Sequence, residues 1–196
     1  MHINKSRLAS MVAMAAAALF TLSTAHAQAT ASGTLNVSAT VTSSLQLLFA
    51  NASGGPNLTN PNTSNATLPF STISAYGTEP TGVSLVAAKD TSHGPCTGSS
   101  PCFVVSAPVQ VVVNQFNGSS TKFTLTAQLG TADTTNFWAV GAETNALNST
   151  SATTIVSAGG VYGSTGNTET VYLGVPTSTT NSTVISNTIS FVVTAN

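Results

Sequence analysis

The sequence predicts an all-β protein with its strands stacked as a sandwich, and three observations carry that expectation. Short segments rich in Val, Ile, Thr and Phe follow one another from residue 34 to the end, each bounded by Gly, Pro, Asn or Ser. Apolar and polar residues alternate within many of them, as in "TLNVSATV" at 34–41, which is the period of a half-buried strand. Beyond residue 27 no stretch repeats its apolar residues with the 3.6-residue period of a helix.

Taken in order, residues 1–27 read as a secretory signal peptide. Lys5 and Arg7 precede an apolar run at 11–22, and "STAHAQA" places Ala25 and Ala27 where an A-x-A cleavage site needs small residues. The run is shorter than the roughly 20 residues that span a bilayer, and no second long apolar segment follows it, so no membrane insertion of the mature chain is expected. Residues 28–42 read as an N-terminal extension, and 43–196 as a single domain. Its expected strands are "SLQLLFA", "ATLPFSTISA", "GVSLVAA", "CFVVSA", "VQVVVNQF", "KFTLTAQL", "NFWAVGA", "TTIVSA", "ETVYLGV" and "NTISFVVTA". The Asn-Gly in "FNGSSTKF" predicts a hairpin over 109–129. The polar stretches at 51–66 and 141–152 are expected as surface loops.

Charged residues are 5% of the chain, against roughly 25% in an average domain. After the signal, Lys89 and Lys122 face Glu79, Asp90, Asp133, Glu143 and Glu169, a net charge of −3 with no arginine. Nucleic acids and anionic membranes, which need clustered cations, are therefore poor partners. Cys96 and Cys102 in "PCTGSSPC" are the only cysteines, and in an exported chain they are expected to form a disulfide.

The chemistry needed for catalysis is sparse. His93 is the one histidine beyond the signal, so a Ser-His-acid site would have to be built around "DTSHGPC", and no G-x-S-x-G elbow accompanies it. Asp90, His93, Cys96 and Cys102 lie close in sequence, but a disulfide would consume both thiols, so neither a metal nor another cofactor is expected. Phe137, Trp138, Tyr76, Tyr162 and Tyr172 could form a glycan platform, although Trp138 in "NFWAV" reads as a core residue. The reading is non-enzymatic.

A nearly uncharged β-protein has few means of blunting its sheet edges, which are commonly guarded by Lys, Pro or bulges. One solution is to use the edges, letting a strand of one chain complete the sheet of another. The segment "TLNVSATV" has the required alternation and follows the polar "QATASG". Leu35, Val37, Ala39 and Val41 would be the inserted side chains. The competing reading makes the segment the first strand of a monomeric secreted module that binds a glycan or host surface.

The N-terminal "ATASGTLNVSATVTSSLQLLF" and the closing "NTISFVVTAN" resemble the two ends of the spore coat protein U family and of related archaic chaperone–usher pilus subunits. The resemblance implies an immunoglobulin-like β-sandwich completed by a donated N-terminal strand. It also implies a periplasmic chaperone, an outer-membrane usher and a surface fibre built from copies of the same chain. The chain departs from the family pattern in carrying Leu45 where a cysteine is usual, "LLFAN" where an NFG-like turn is common, and a non-aromatic end at Asn196.

Overall fold

The computed structural model describes residues 38–39, 44–147, 150–163 and 166–196. The described part of the chain is all-β, without a helix, and its eight strands form two antiparallel sheets. The first sheet is organised on a long central strand, β3 (Cys102–Phe116). On one side of β3 lie β1 (Ser44–Asn51), paired with residues 109–116, and β2 (Ser84–Asp90), paired with residues 102–106. On its other side lies β7 (Asn167–Pro176), followed by β5 (Phe137–Val140). The second sheet has β4 (Phe123–Leu129) at its centre, between β6 (Thr153–Gly160) and β8 (Ile189–Ala195).

Strand β3 corrects the expectation of two separate strands, "CFVVSA" and "VQVVVNQF". Pro108 sits inside it, although proline removes a ladder donor. The position is tolerated because the neighbour changes there. The β2 ladder stops at Ser106 and the β1 ladder starts at Val109. The Pro108 carbonyl faces this break, against Gly55, where a Cβ would lie 2.5 Å from it. The missing N–H of an antiparallel residue points to the same side as its carbonyl, so no ladder bond is lost.

The expected hairpin over 109–129 is not formed. β3 belongs to the first sheet and β4 to the second, so residues 117–122 cross between sheets. Val111 and Val113 of β3 instead bury against Phe123 and Leu125 of β4, all four fully buried. Apolar alternation is the same whether two strands pair edge to edge or stack face to face, and here the stacked arrangement buries four large side chains at once.

"ATLPFSTISA" is also not a strand. Apart from an isolated bridge between Thr59 and Thr67, residues 66–75 lie outside both sheets. The loops at 51–66 and 141–152 are less superficial than their polarity predicts, since Ala52, Leu58 and Leu147 are all buried. Leu147 is drawn in by its N–H, which donates to the Trp138 carbonyl at 2.7 Å.

The main core lies between the sheets. Val105, Ala107 and Val109 of β3, Val171, Leu173 and Val175 of β7, and Trp138 and Val140 of β5 meet Ala127 and Leu129 of β4. A smaller core lies on the opposite face of the first sheet, as the alternation along β3, β5 and β7 requires. Cys96, Cys102, Val104, Phe137 and Ala139 pack there, which is why all four residues of β5 are buried.

Candidate functional site

The alternation of β1 turns Leu47 and Phe49 toward the space between the sheets, and that of β8 does the same for Ile189 and Phe191. β1 is an edge strand of the first sheet and β8 an edge strand of the second. The Phe49 and Phe191 rings meet across this open side with centroids 5.1 Å apart and planes inclined by 59°. Around them runs a groove of about 870 Å³. Its floor is the inner face of the first sheet, with Val109, Trp138, Val171 and Leu173. Its walls are β1 with residues 64–73 on one side, and residues 183–191 on the other. No charged side chain lines it among the described residues.

Among the described residues β8 pairs with β4 and with no other strand. No described strand pairs with the backbone groups of β8 that point away from β4, beside the groove, and an edge of that kind is a template for a further strand. Val192, on the outward face of β8, is 56% exposed. An apolar trough beside an unpaired edge offers an extended chain both ladder hydrogen bonds and pockets for alternate side chains.

Of the residues expected to be donated, Leu35, Val37 and Val41 lie outside the described residues, as does the signal segment. Ala39 is described, and it is exposed and outside any strand.

The expected disulfide is present. Cys96 and Cys102 are joined, with Cα atoms 5.2 Å apart. Both are buried, and Cys96 Sγ lies over Gly174, where a Cβ would stand 3.4 Å from it. The short loop inside the bridge is closed by reciprocal backbone bonds between Thr97 and Ser100. The bridge thus staples the β2–β3 connection onto the outer face of β7 and β5. With both sulfurs in the bridge, neither is a thiolate available to a metal.

His93 is half-buried beside the bridge, its ring 5.3 Å from that of Phe137. Its Nδ1 lies 3.2 Å from Asp90 Oδ2 and 3.2 Å from Ser92 Oγ, while Nε2 lies 3.8 Å from Glu143 Oε2. Ser92 Oγ donates to Asp90 Oδ1 at 2.6 Å. A catalytic triad needs hydroxyl and acid on opposite ring nitrogens. Here Ser92 and Asp90 share Nδ1, Glu143 stands beyond hydrogen-bond distance of Nε2, and the serine proton is already donated to the Asp90 carboxylate. Burial alone would raise the Asp90 pKa, but hydrogen bonds from Ser92 and His93 and the His93 charge outweigh it and hold the carboxyl below its ordinary value. The cluster ties the disulfide loop to the loop after β5.

The aromatic residues do not gather into a platform. Trp138 is buried and Phe137 fully so, whereas Tyr76 is 88% exposed on its own loop. The Trp138 indole Nε1–H donates to Asp133 Oδ2 at 2.8 Å. Asp133 also accepts from the N–H groups of Thr135 and Asn136 and from Asn136 Nδ2. These bonds override the burial that would raise its pKa and leave it lowered. Glu169 is the opposite case. It faces the core from β7, and burial pushes its carboxyl up.

Apart from Trp138, the groove residues were not singled out by the sequence, although the alternation of "SLQLLFA" and "NTISFVVTA" was. The missing information is spatial, since nothing local says that β1 and β8 will be the two edges on the same open side. No family model, curated protein or solved structure matches the chain.

Proposed function

We propose that this chain is an exported structural subunit of a bacterial surface fibre or coat, non-enzymatic, and assembled by donor-strand complementation. In this reading the fold is an immunoglobulin-like sandwich lacking one strand. Leu35, Val37, Ala39 and Val41 of one copy enter the groove of the next and pair along β8. The observation that carries the reading is the apolar groove beside an edge of β8 that no described strand pairs. Lengths are compatible: eight extended residues span about 26 Å and the seven residues of β8 about 23 Å. The scarcity of charge is a second support, because two lysines cannot guard the edges of two sheets. The resemblance to the spore coat protein U family supplies the rest: export through the periplasm, a chaperone that shields the groove, and an usher at the outer membrane.

The test is the heat-sensitivity of the assembled material. Sheared cells of the native host, run unboiled and boiled in SDS and probed for this protein, should give a ladder that collapses to one band on boiling. Deleting residues 28–41 should abolish the ladder. Ladders that survive the deletion would overturn the proposal, and a monomer in both lanes of the intact chain would favour the binding-module reading.

A further inference from the structure

Residues 64–73 carry a sequence that alternates like a strand, yet they form none. Ala66, Leu68, Phe70 and Ile73 lie half-buried against the main core and wall one side of the groove. Their hydrogen bonding explains why they stay outside the sheets. Thr59 and Thr67 exchange backbone bonds of 3.0 Å each. Between Leu68 and Gly82, among the described residues, the one backbone–backbone bond is that from the Val83 N–H to the Pro80 carbonyl. No backbone bond joins the segment to β8 among the described residues, although both border the same groove.

Two further features mark a segment held in place rather than satisfied. Ser71 has a φ of 55°, the left-handed region that L-residues other than Asn and Asp rarely occupy. Further along the same loop, Glu79 Oε2 is buried without a hydrogen-bond partner, while Oε1 accepts a 3.4 Å bond from the Ser74 N–H. Buried polar atoms are almost always satisfied in a settled conformation. A segment whose backbone bonds end at Thr67, and which beyond that point is held by apolar side chains, has a low local opening cost.

We infer that residues 64–73 are a strap that lies against the groove in the free subunit and moves aside when a strand enters. The inference rests on the strand-accepting reading above. Leu68 and Phe70 pack against the same core cluster whose residues form the groove floor. An incoming strand covers the same floor and adds ladder bonds along β8 that the strap does not make. The strap therefore guards the edge against unspecific pairing and yields only to a chain that pairs with β8. Its cost appears as reduced apparent affinity, because only molecules with the strap displaced are competent.

The test uses the full chain, at a concentration where it is monomeric, and a synthetic peptide of residues 31–43. Trp138 is the only tryptophan of the chain and lines the groove, and the peptide contains none, so indole emission reports entry. Leu68→Ser with Phe70→Ser should raise the apparent affinity about tenfold by removing the closed state. An unchanged or weaker affinity would show that 64–73 is a fixed wall contacting the bound strand, which overturns the strap and leaves the groove reading standing. If the peptide neither alters emission nor protects β8 amides from exchange in either protein, the groove takes no strand and both fall. Thr59→Cys with Thr67→Cys is the second variant, since the Cα atoms of such a bonded pair lie about 5.5 Å apart, within disulfide reach. Oxidation should lower the affinity and mild reduction should restore it, with the unmodified chain as the control. Equal affinity in both states would overturn the strap.

Discussion

Phe49 of β1 and Phe191 of β8 touch ring to ring at 5.1 Å, a contact that bridges the two edge strands across the groove. Tilted ring pairs of this geometry contribute about 0.5–1.5 kcal/mol beyond the area they bury. A double-mutant cycle with Phe49→Ala and Phe191→Ala, read by urea unfolding, should return a coupling in that range. A coupling near zero would mean that the two edges are held independently.

The disulfide should act locally and moderately. Closing so short a loop is worth about 2 kcal/mol in the chain-entropy model. Cys96→Ser with Cys102→Ser should lower stability by about that amount. The fold should persist, because the main core between the sheets does not involve either sulfur. Far-ultraviolet circular dichroism and the thermal midpoint check both parts.

Glu169 and Asp133 should tilt stability against pH in opposite directions. Glu169 has its carboxyl raised by burial, so between the unfolded and the folded values the folded state holds a proton that the unfolded chain has lost. Stability from this group is fullest below the unfolded carboxylate value and falls as pH rises toward the folded one. Glu169→Gln should therefore be more stable than the parent at neutral pH, with the advantage shrinking in acid. An advantage that grew in acid would contradict this account.

Asp133 is lowered by the hydrogen bonds it accepts, which outweigh its burial. Its contribution is present above the ordinary carboxylate range and lost as pH falls through the folded value. Asp133→Ala also strands the Trp138 indole N–H, a loss of about 1–3 kcal/mol. Unfolding measured at neutral and acid pH should show the variant's deficit largest at neutral pH.

Gly160 on β6 is paired with Phe123 on β4, and an added Cβ would stand 2.2 Å from the Phe123 ring. That ring is fully buried between the sheets and has little room to turn. Gly160→Ala should cost about 1–3 kcal/mol through overpacking. A neutral effect in thermal unfolding would show that β6 can shift away from β4.

The strands themselves were legible because their signal is local. Burial in "KFTLTAQL" and in "ETVYL" follows the two-residue period, since alternate side chains of an extended chain face opposite ways. The disulfide was legible for the same kind of reason, two cysteines six apart in one loop. "ATLPFSTISA" misled because alternation reports only that one side of a segment meets apolar surface. Leu68 and Phe70 do meet it, but among the described residues no strand pairs with their backbone.

Composition and periodicity by themselves determined that this is an all-β chain, where most strands run, and that Cys96 meets Cys102. The tertiary structure decided which strands are neighbours. It sent β4 to the second sheet despite the Asn-Gly turn, ran β3 through Pro108, covered the outer face of β5 with the disulfide loop, and left β1 and β8 facing each other across an open groove. The physical reason is one of range. Side-chain alternation is set by each residue's own backbone, whereas strand partners are chosen by which distant apolar faces bury the most surface together, and that choice is written in no short stretch of sequence.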